Sequence, residues 1–226
     1  VLAISTQQRP VVIKIARVDQ RARAETNREA IRNSVLWLRR LGRHDGLVRL
    51  YPIAYKSQGK SDRKSHSSDG AHPEEAVFCA TLQQWAGQPE FLVMEYLEGG
   101  SLRDYVGARP LGVETALWIT YQLAQSLDYI HRQGCVHRDI KPENILFRSP
   151  PPGVGRGAKP GVQPASRQLR QIRPVLVDFG VAAASCERRF VSGSRMWMAP
   201  VLQEAYEQSP LPVDPALRLV SAAGFR

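Results

Sequence analysis

HRDIKPEN at residues 137–144 and DFG at residues 178–180 combine side chains that are suited to moving a phosphoryl group. The carboxylate of Asp139 can accept the proton of an attacking hydroxyl. Asn144 and Asp178 offer the kind of oxygen ligand that Mg²⁺ prefers in proteins. The two strings therefore predict phosphoryl transfer from a magnesium-bound nucleotide.

Both strings resemble motifs of the eukaryotic-type (Hanks-type) serine/threonine protein kinases, namely the catalytic loop H-R-D-x-x-x-x-N and the D-F-G motif. Three further stretches resemble the same family in the expected order: VVIKIA at 11–16, FLVMEYLEGGSL at 91–102 and GSRMWMAP at 193–200. They correspond to the V-A-I-K strand, to the last small-lobe strand with the hinge, and to the end of the activation segment. The resemblance covers roughly residues 10–205 and implies a two-lobed catalytic domain.

The apolar pattern alone predicts an α+β chain in which strands come first and helices later. Short β-branched or apolar runs predict strands, and apolar residues three or four positions apart predict helices. The predicted strands cover residues 11–16, 47–51, 76–82, 91–96, 145–147 and 175–177, and the predicted helices cover residues 22–41 and 113–133.

We interpret the chain as two incomplete lobes, truncated at both ends. Residues 1–97 are a partial small lobe with an insertion at about 56–75, and the lobe lacks its first strands. Residues 98–226 are a partial helical lobe that lacks its C-terminal helices. This second part has an insertion at about 148–173 and an atypical tail over 202–226.

The net charge of +10 is concentrated in the two insertions. Residues 148–173 contain six Arg or Lys and no acid, and residues 56–72 contain four basic and two acidic residues, so these stretches supply eight of the ten charges. We therefore expect no nucleic-acid partner, although a basic insertion could dock on an acidic protein. No apolar run approaches the roughly 18–20 residues that cross a bilayer, which makes a membrane partner unexpected. Three widely separated cysteines favour a cytoplasmic protein with free thiols.

The resemblance implies a role for five side chains in transfer from ATP with Mg²⁺ to a Ser or Thr of a protein substrate. Asp139 is the base, and Lys141 contacts the transferring phosphoryl group. Lys14 holds the α- and β-phosphates, while Asn144 and Asp178 are the magnesium ligands. The Lys-Pro-Glu run that starts at Lys141 resembles serine/threonine kinases more than tyrosine kinases.

The resemblance also implies a hinge that binds the adenine ring. Backbone groups of Glu95 and Leu97 bond the adenine edge, and Met94 lines the back of that pocket. Three serines lie between the D-F-G and the Ala-Pro positions, so that Ser185, Ser192 and Ser194 are candidates for a regulatory phosphate that pairs with Arg138.

The chain departs from the family pattern at several places. No G-x-G-x-x-G loop precedes Lys14. Ser34 stands where the family spacing expects the Glu that pairs with this lysine, and Glu29 is the nearest acid. Val201 follows Pro200 where the family has Glu, and only 26 residues follow that proline.

Two alternatives to an active protein kinase therefore stay open. A pseudokinase would keep the fold and act as an interaction or regulatory module, and it is favoured by Ser34 and Val201. A small-molecule phosphotransferase of the kinase-like superfamily would usually have Gly at the position of Arg138 and no Met-Ala-Pro segment. Truncation and degeneration both explain the missing parts.

Overall fold

The structure, a computed structural model, arranges its helices and strands in two units. It describes residues 2–4, 10–16, 21–51, 53–56, 78–81, 91–108, 111–151, 166–186, 190–207 and 217–219. One unit lies within residues 1–39 and 49–96, and the other lies within residues 40–48 and 97–226. The segment 40–48 thus belongs to the second unit although it precedes much of the first unit along the chain.

Most of the two basic insertions lies outside the described residues. This applies to residues 57–77 and 152–165, and to most of the tail beyond residue 207. Their predicted role in docking an acidic partner stays a prediction.

The first unit contains a four-stranded antiparallel sheet and most of a long helix. Its elements are β1 (Leu2–Ile4), β2 (Pro10–Ile15), α1 (Arg21–Leu41), β3 (Leu50–Tyr51), β4 (Ile53–Lys56), β5 (Phe78–Thr81) and β6 (Phe91–Glu95). The strand order of the sheet is β1-β2-β6-β3, and every neighbouring pair is antiparallel. β4 and β5 form a separate parallel pair.

The alternation of side chains along β2 determines which face carries Lys14. Val11 and Ile13 are buried on one face of the sheet. Lys14 has the opposite parity, so it lies on the other face, beside its cross-strand partner Leu92. Leu92 packs against Ile31 of α1. Lys14 therefore lies on the face of the sheet that α1 covers.

The second unit is mainly helical, with short strand pairs. Its elements are α2 (Leu102–Ala108), α3 (Val113–Arg132), β7 (Cys135–Val136), β8 (Ile145–Phe147), α4 (Ser166–Leu169), β9 (Pro174–Leu176), β10 (Ala183–Ala184), β11 (Phe190–Ser192), α5 (Pro200–Glu207) and β12 (Leu217–Leu219). The antiparallel pairs are β7 with β10, β8 with β9, and β11 with β12. Ile119 of α3, Phe147 of β8 and Ile172 pack together in its core. Among the described helices, none is long and apolar enough to cross a membrane.

The mixture of sheets and helices confirms the predicted α+β class, but one predicted strand is wrong in part. The apolar run 47–51 was predicted as a single strand. Leu47 instead forms an isolated bridge with Leu176 in the second unit, and only Leu50 and Tyr51 join the sheet of the first unit. An apolar run predicts an extended backbone without saying which strand it will pair with. The sequence predicted neither β1 nor α5.

Candidate active site

Asp139 lies at the centre of a polar cluster in the second unit. Its Oδ1 accepts a hydrogen bond from the backbone N–H of Ser194 at 2.8 Å. Its Oδ2 lies 2.7 Å from Nζ of Lys141 and 2.9 Å from Nδ2 of Asn144. Burial by itself would raise the pKa of Asp139, but hydrogen bonding by the Lys141 and Ser194 side chains outweighs it and holds that pKa below its usual range. The carboxylate is therefore ionised at neutral pH.

A short 3₁₀ turn over Pro142–Asn144 brings these side chains together. Lys141 has an extended backbone immediately before it, and Pro142 begins it, where its missing N–H costs nothing. The N–H of Asn144 bonds to the carbonyl of Lys141 at 2.9 Å. The amide nitrogen of Asn144 also donates to the backbone carbonyl of Asp139 at 2.9 Å. These bonds fix the loop between Asp139 and β8.

The buried imidazole of His137 supports the start of the loop. His137 is 1 % exposed, and its Nε2 lies 3.0 Å from the carbonyl of Val177. Its Nδ1 accepts the N–H of Asp139, which fixes the tautomer with the proton on Nε2. The ring meets Phe179 edge-on at 4.8 Å. Burial lowers the pKa of His137, so the ring is neutral and serves as a structural support of the loop.

Arg138 adopts a left-handed backbone, with φ of 65°. A non-glycine residue occupies this region only when its surroundings hold it there. Here Nε of Arg138 donates to the carbonyl of Val181 at 2.6 Å. This bond connects the loop to the turn that follows the DFG residues.

Asn144 and Asp178 lie at the same end of the β8–β9 pair. Asn144 directly precedes β8, and Val177 directly precedes Asp178. The N–H of Val177 bonds to the carbonyl of Asn144 at 3.0 Å. Because Asp139 uses the amide nitrogen of Asn144, the amide oxygen is the atom left to meet a cation. Asp178 has φ of 64°, and its Oδ1 accepts the N–H of Gly180 at 3.3 Å. An amide oxygen and a carboxylate at one end of a strand pair fit Mg²⁺, which prefers such oxygen ligands.

Ser194 reaches the cluster from the activation segment, and the sequence did not predict this contact. Its Oγ lies 2.6 Å from Nζ of Lys141. The sequence predicted Ser194 only as one of three phosphate acceptors beside Arg138. Because Ser194 lies 53 residues after Lys141, the spacing of residues offers no signal of this contact.

Gly193 permits this approach. Its φ is 126°, and a Cβ built there would lie 2.2 Å from the carbonyl oxygen of Arg138.

The other two candidate serines lie elsewhere. Ser185 is exposed, with its N–H bonded to the carbonyl of Gly134, and the side chain of Ser192 lies outside the described residues.

A pocket of about 430 Å³ lies between this cluster, α3 and α5. Its lining is largely apolar, but Asp139 and Ser194 both contribute to it. The apolar part includes Leu127 of α3, Leu202 of α5, and Met198, which precedes α5.

The first unit carries most of the residues that the sequence predicted for the nucleotide. Lys14 is half-buried on β2, and Met94 and Glu95 end β6, whereas Leu97 is buried in the second unit. The N–H of Glu95 bonds to the carbonyl of Arg49 at 3.0 Å.

Ser34, at the expected acid position, is 2 % exposed on α1. Its hydroxyl donates to the carbonyl of Ala30 at 2.8 Å, so it bonds to its own helix. The structure thus assigns Ser34 a place in the packed face of α1.

Comparison with known proteins gives the same family along nearly the whole chain. A family model described as the protein kinase domain matches residues 1–211. Serine/threonine-protein kinase ULK1 of Homo sapiens is 36% identical over 123 residues, which are 52% of this chain and 11% of that protein. Serine/threonine-protein kinase D of Synechocystis is 35% identical over 120 residues, covering 49% of this chain and 19% of that protein. Serine/threonine-protein kinase pkn2 of Myxococcus xanthus is 35% identical over 97 residues, covering 43% and 10%. The chain thus spans less than a fifth of the length of these relatives.

Proposed function

This chain belongs to the protein kinase domain family, and we propose that it transfers the γ-phosphoryl group of ATP to a serine or threonine hydroxyl of a protein substrate. The observation that carries this proposal is the ionised carboxylate of Asp139, held between the ammonium of Lys141 and the backbone N–H of Ser194. A fixed anion beside a fixed cation suits a reaction in which a hydroxyl loses a proton while a phosphoryl group arrives.

Asp139 orients the acceptor hydroxyl and takes its proton as the new bond forms. Because hydrogen bonds lower its pKa, it is a weak base in the ground state. Proton transfer to this weak base becomes favourable late in the step, because the acceptor hydroxyl becomes strongly acidic as its oxygen bonds to phosphorus. General-base help of this kind is worth about 10²–10⁴ in rate.

Lys141 neutralises the charge of the transferring group. Its Nζ lies 2.7 Å from Oδ2 of Asp139 and 2.6 Å from Oγ of Ser194, so it is already held on the side where the acceptor must lie. A cation held in place costs no reorganisation when the reaction occurs.

Asn144 and Asp178 would hold Mg²⁺ through their side-chain oxygens, and the bound cation would neutralise charge on the nucleotide phosphates. We assign Lys14 to the α- and β-phosphates, and Met94, Glu95 and Leu97 to the adenine ring. These four assignments rest on the resemblance of their strands to the family.

Serine or threonine is the proposed acceptor for two reasons. Lys-Pro-Glu at residues 141–143 resembles serine/threonine kinases, and the relatives quoted above are named as such. We further propose that the basic insertions contact an acidic partner protein, because they supply eight of the ten net charges.

A second candidate function, a pseudokinase that serves as an interaction module, is favoured by one observation. The hydroxyl of Ser34 bonds to Ala30 of the same helix, so the expected acid is replaced by a side chain that only serves packing. Without that acid the orientation of Lys14 depends on other groups.

Transfer of labelled phosphate from ATP with Mg²⁺ to a general protein substrate tests the proposal. Asp139→Asn should lower the rate by about 10²–10⁴-fold through loss of the base. Asp128→Asn is the matched control, because Asp128 is an exposed partner of Arg132 on α3. The control should keep the rate of the parent. A folded parent that transfers no label would favour the pseudokinase, whereas transfer that survives in Asp139→Asn would refute the assignment of Asp139 as the base.

A further inference from the structure

Helix α3 has apolar side chains on its exposed face. Val113, Leu117 and Tyr121 are 75%, 65% and 54% exposed. They lie four residues apart, so they form one stripe along about 12 Å of the helix, at 1.5 Å per residue. We call these three residues the α3 stripe. Isolated apolar residues are normal on a protein surface, but three in line on one helix face are not scattered.

The buried face of α3 shows the opposite preference. Thr115 and Ser126 are both buried on that face. The hydroxyl of Thr115 has no hydrogen-bond partner among the residues that the structure describes. Burying an unpaired hydroxyl while Leu117 stays exposed lowers the stability of the fold. This distribution of side chains therefore favours a role of the α3 stripe in binding over a role in folding.

A turn with exposed arginines packs beside the stripe. Arg167, Arg170 and Arg173 are exposed on α4 and on the residues that follow it, and we call them the basic turn. Nε1 of Trp118 donates to the carbonyl of Ile172 at 3.2 Å, which places the turn against α3. The same indole ring lies 5.9 Å from the tyrosine ring of the α3 stripe, measured between ring centroids. The stripe and the basic turn are therefore parts of one surface.

We propose that the α3 stripe and the basic turn together bind an amphipathic helix of an acidic partner protein. The apolar residues of such a helix, three or four positions apart, pack on the α3 stripe, and its Asp or Glu residues face the basic turn. This inference deepens the proposed docking of an acidic partner by the basic insertions, and it rests on that proposal. It does not depend on phosphate transfer, because none of these residues belongs to the Asp139 cluster.

Charge and shape decide the kind of partner. Residues 148–173 include six basic residues and no acid, and Glu114 beside the stripe offsets only one of the three charges of the basic turn. A second copy of the chain would bring like charges together, which disfavours it. An anionic membrane would meet the same charges, but the stripe is one residue wide and is bordered by the exposed polar residues Thr120 and Gln125. A narrow stripe suits the ridge of a helix better than a flat surface.

Binding of synthetic peptides to the full chain tests this inference, with the affinity measured by fluorescence anisotropy of the labelled peptide. The acidic peptide has about 18 residues, long enough to form a helix, with Leu along one face and Glu on both flanks. The lysine peptide has Lys in place of each Glu. We expect the chain to bind the acidic peptide, and to bind the lysine peptide at least about 10-fold more weakly. No binding of the acidic peptide, or equal binding of the two peptides, would overturn the inference.

Two substitutions with matched controls locate the peptide. Leu117→Ser should weaken binding of the acidic peptide by on the order of 10-fold, and Arg170→Glu by a similar factor that shrinks at high salt. Leu36→Ser is the control for the first, because Leu36 is 61% exposed on α1. Arg43→Glu, at an exposed arginine outside this surface, is the control for the second. Both controls should bind like the parent, and all four variants should fold, because the replaced side chains are exposed. Unchanged affinity in Leu117→Ser or in Arg170→Glu would refute the proposed surface.

Further measurements separate this surface from other modes of binding. The double variant Arg156→Glu/Lys159→Glu changes the rest of the basic insertion. If it loses the acidic peptide while Leu117→Ser keeps it, the inference fails and the proposed docking by the insertion stands. If no variant weakens binding, both fail. Binding of the parent to vesicles that contain phosphatidylserine, but not to the acidic peptide, would assign the surface to a membrane. A dimer in solution that Leu117→Ser dissociates would assign it to a second copy, and either result would overturn the inference.

Discussion

Replacing Gly193 by alanine should damage the site much more than a glycine replacement elsewhere in the same unit. The new Cβ would lie 2.2 Å from the carbonyl oxygen of Arg138, whereas real Cβ atoms essentially never come within 3.0 Å of a neighbour. That carbonyl cannot easily move, because Arg138 has φ of 65° and its Nε bonds to Val181. The activation segment must therefore shift instead.

The shift has a calculable effect on stability and on rate. It would break the bond from Ser194 N–H to Asp139, and a hydrogen bond to a charged group contributes about 1.5–3 kcal/mol. In addition, φ of 126° is unfavourable for alanine, at a cost of about 1–3 kcal/mol where the strain is not released. The expected loss of unfolding free energy is thus about 2.5–6 kcal/mol, with the lower end applying where the shift of the segment releases most of the backbone strain. If the lost bond also orients Asp139 in the transition state, transfer slows by roughly 10- to 100-fold.

Gly42→Ala is the matched control. Gly42 has φ of 69°, but a Cβ there would meet no atom within 4 Å, so only the backbone cost of about 1–2 kcal/mol applies. Urea unfolding of both variants and of the parent gives the free energies, and phosphate transfer to a protein substrate gives the rates. Gly42→Ala should transfer phosphate like the parent. Equal losses of stability in the two variants, together with an unchanged rate in Gly193→Ala, would refute this reasoning.

Three further predictions concern side chains outside the reaction itself. Burial lowers the pKa of His137, so the unfolded chain binds a proton at this ring more readily than the folded chain does. The contribution of the neutral ring to the unfolding free energy should therefore be fully present above pH 6.5 and be lost as the pH falls through the lowered pKa of the folded state. Unfolding free energies that stay level or rise on acidification below pH 6.5 would contradict this. Burial raises the pKa of Cys135 from 9.0 to about 11, so this residue holds about 10²-fold less thiolate than it would at its ordinary pKa. Iodoacetamide should therefore modify the exposed Cys186 long before the buried Cys135. Peptide mapping measures the labelling of each thiol separately, and equal labelling would show that Cys135 is not buried. Ser34→Ala should change the unfolding free energy by at most about 0.5 kcal/mol, because the lost bond to Ala30 is offset by the better helix propensity of alanine; a larger loss in urea unfolding would show that the hydroxyl has a tertiary partner.

The residues of the HRDIKPEN loop could be predicted from the sequence because their chemistry is encoded in local spacing. Side chains two positions apart in extended backbone lie on the same side, and Lys141 is extended, with φ of −155°. This brings its ammonium back to Asp139. A 3₁₀ turn of three residues then returns Asn144 to the same carboxylate.

The contact of Ser194 could not be predicted because it depends on a long-range approach of two backbones. It forms only because Gly193 can pass close to the carbonyl of Arg138, and no periodic pattern records such a distance. The prediction of a single strand over residues 47–51 was wrong for the same reason, because these residues pair with strands in two different units.

The energetics of the cluster favour catalysis over a scaffold. The side chains of Lys141 and Asp139 are only 22% and 12% exposed, so both charges have lost much of their hydration. Such a pair adds little net stability, and apolar side chains of similar volume often stabilise a fold as well or better. A module that only had to stay folded would gain nothing from burying this ion pair beside Asn144. An enzyme gains a base that stays ionised and a cation that is in place before the phosphoryl group arrives.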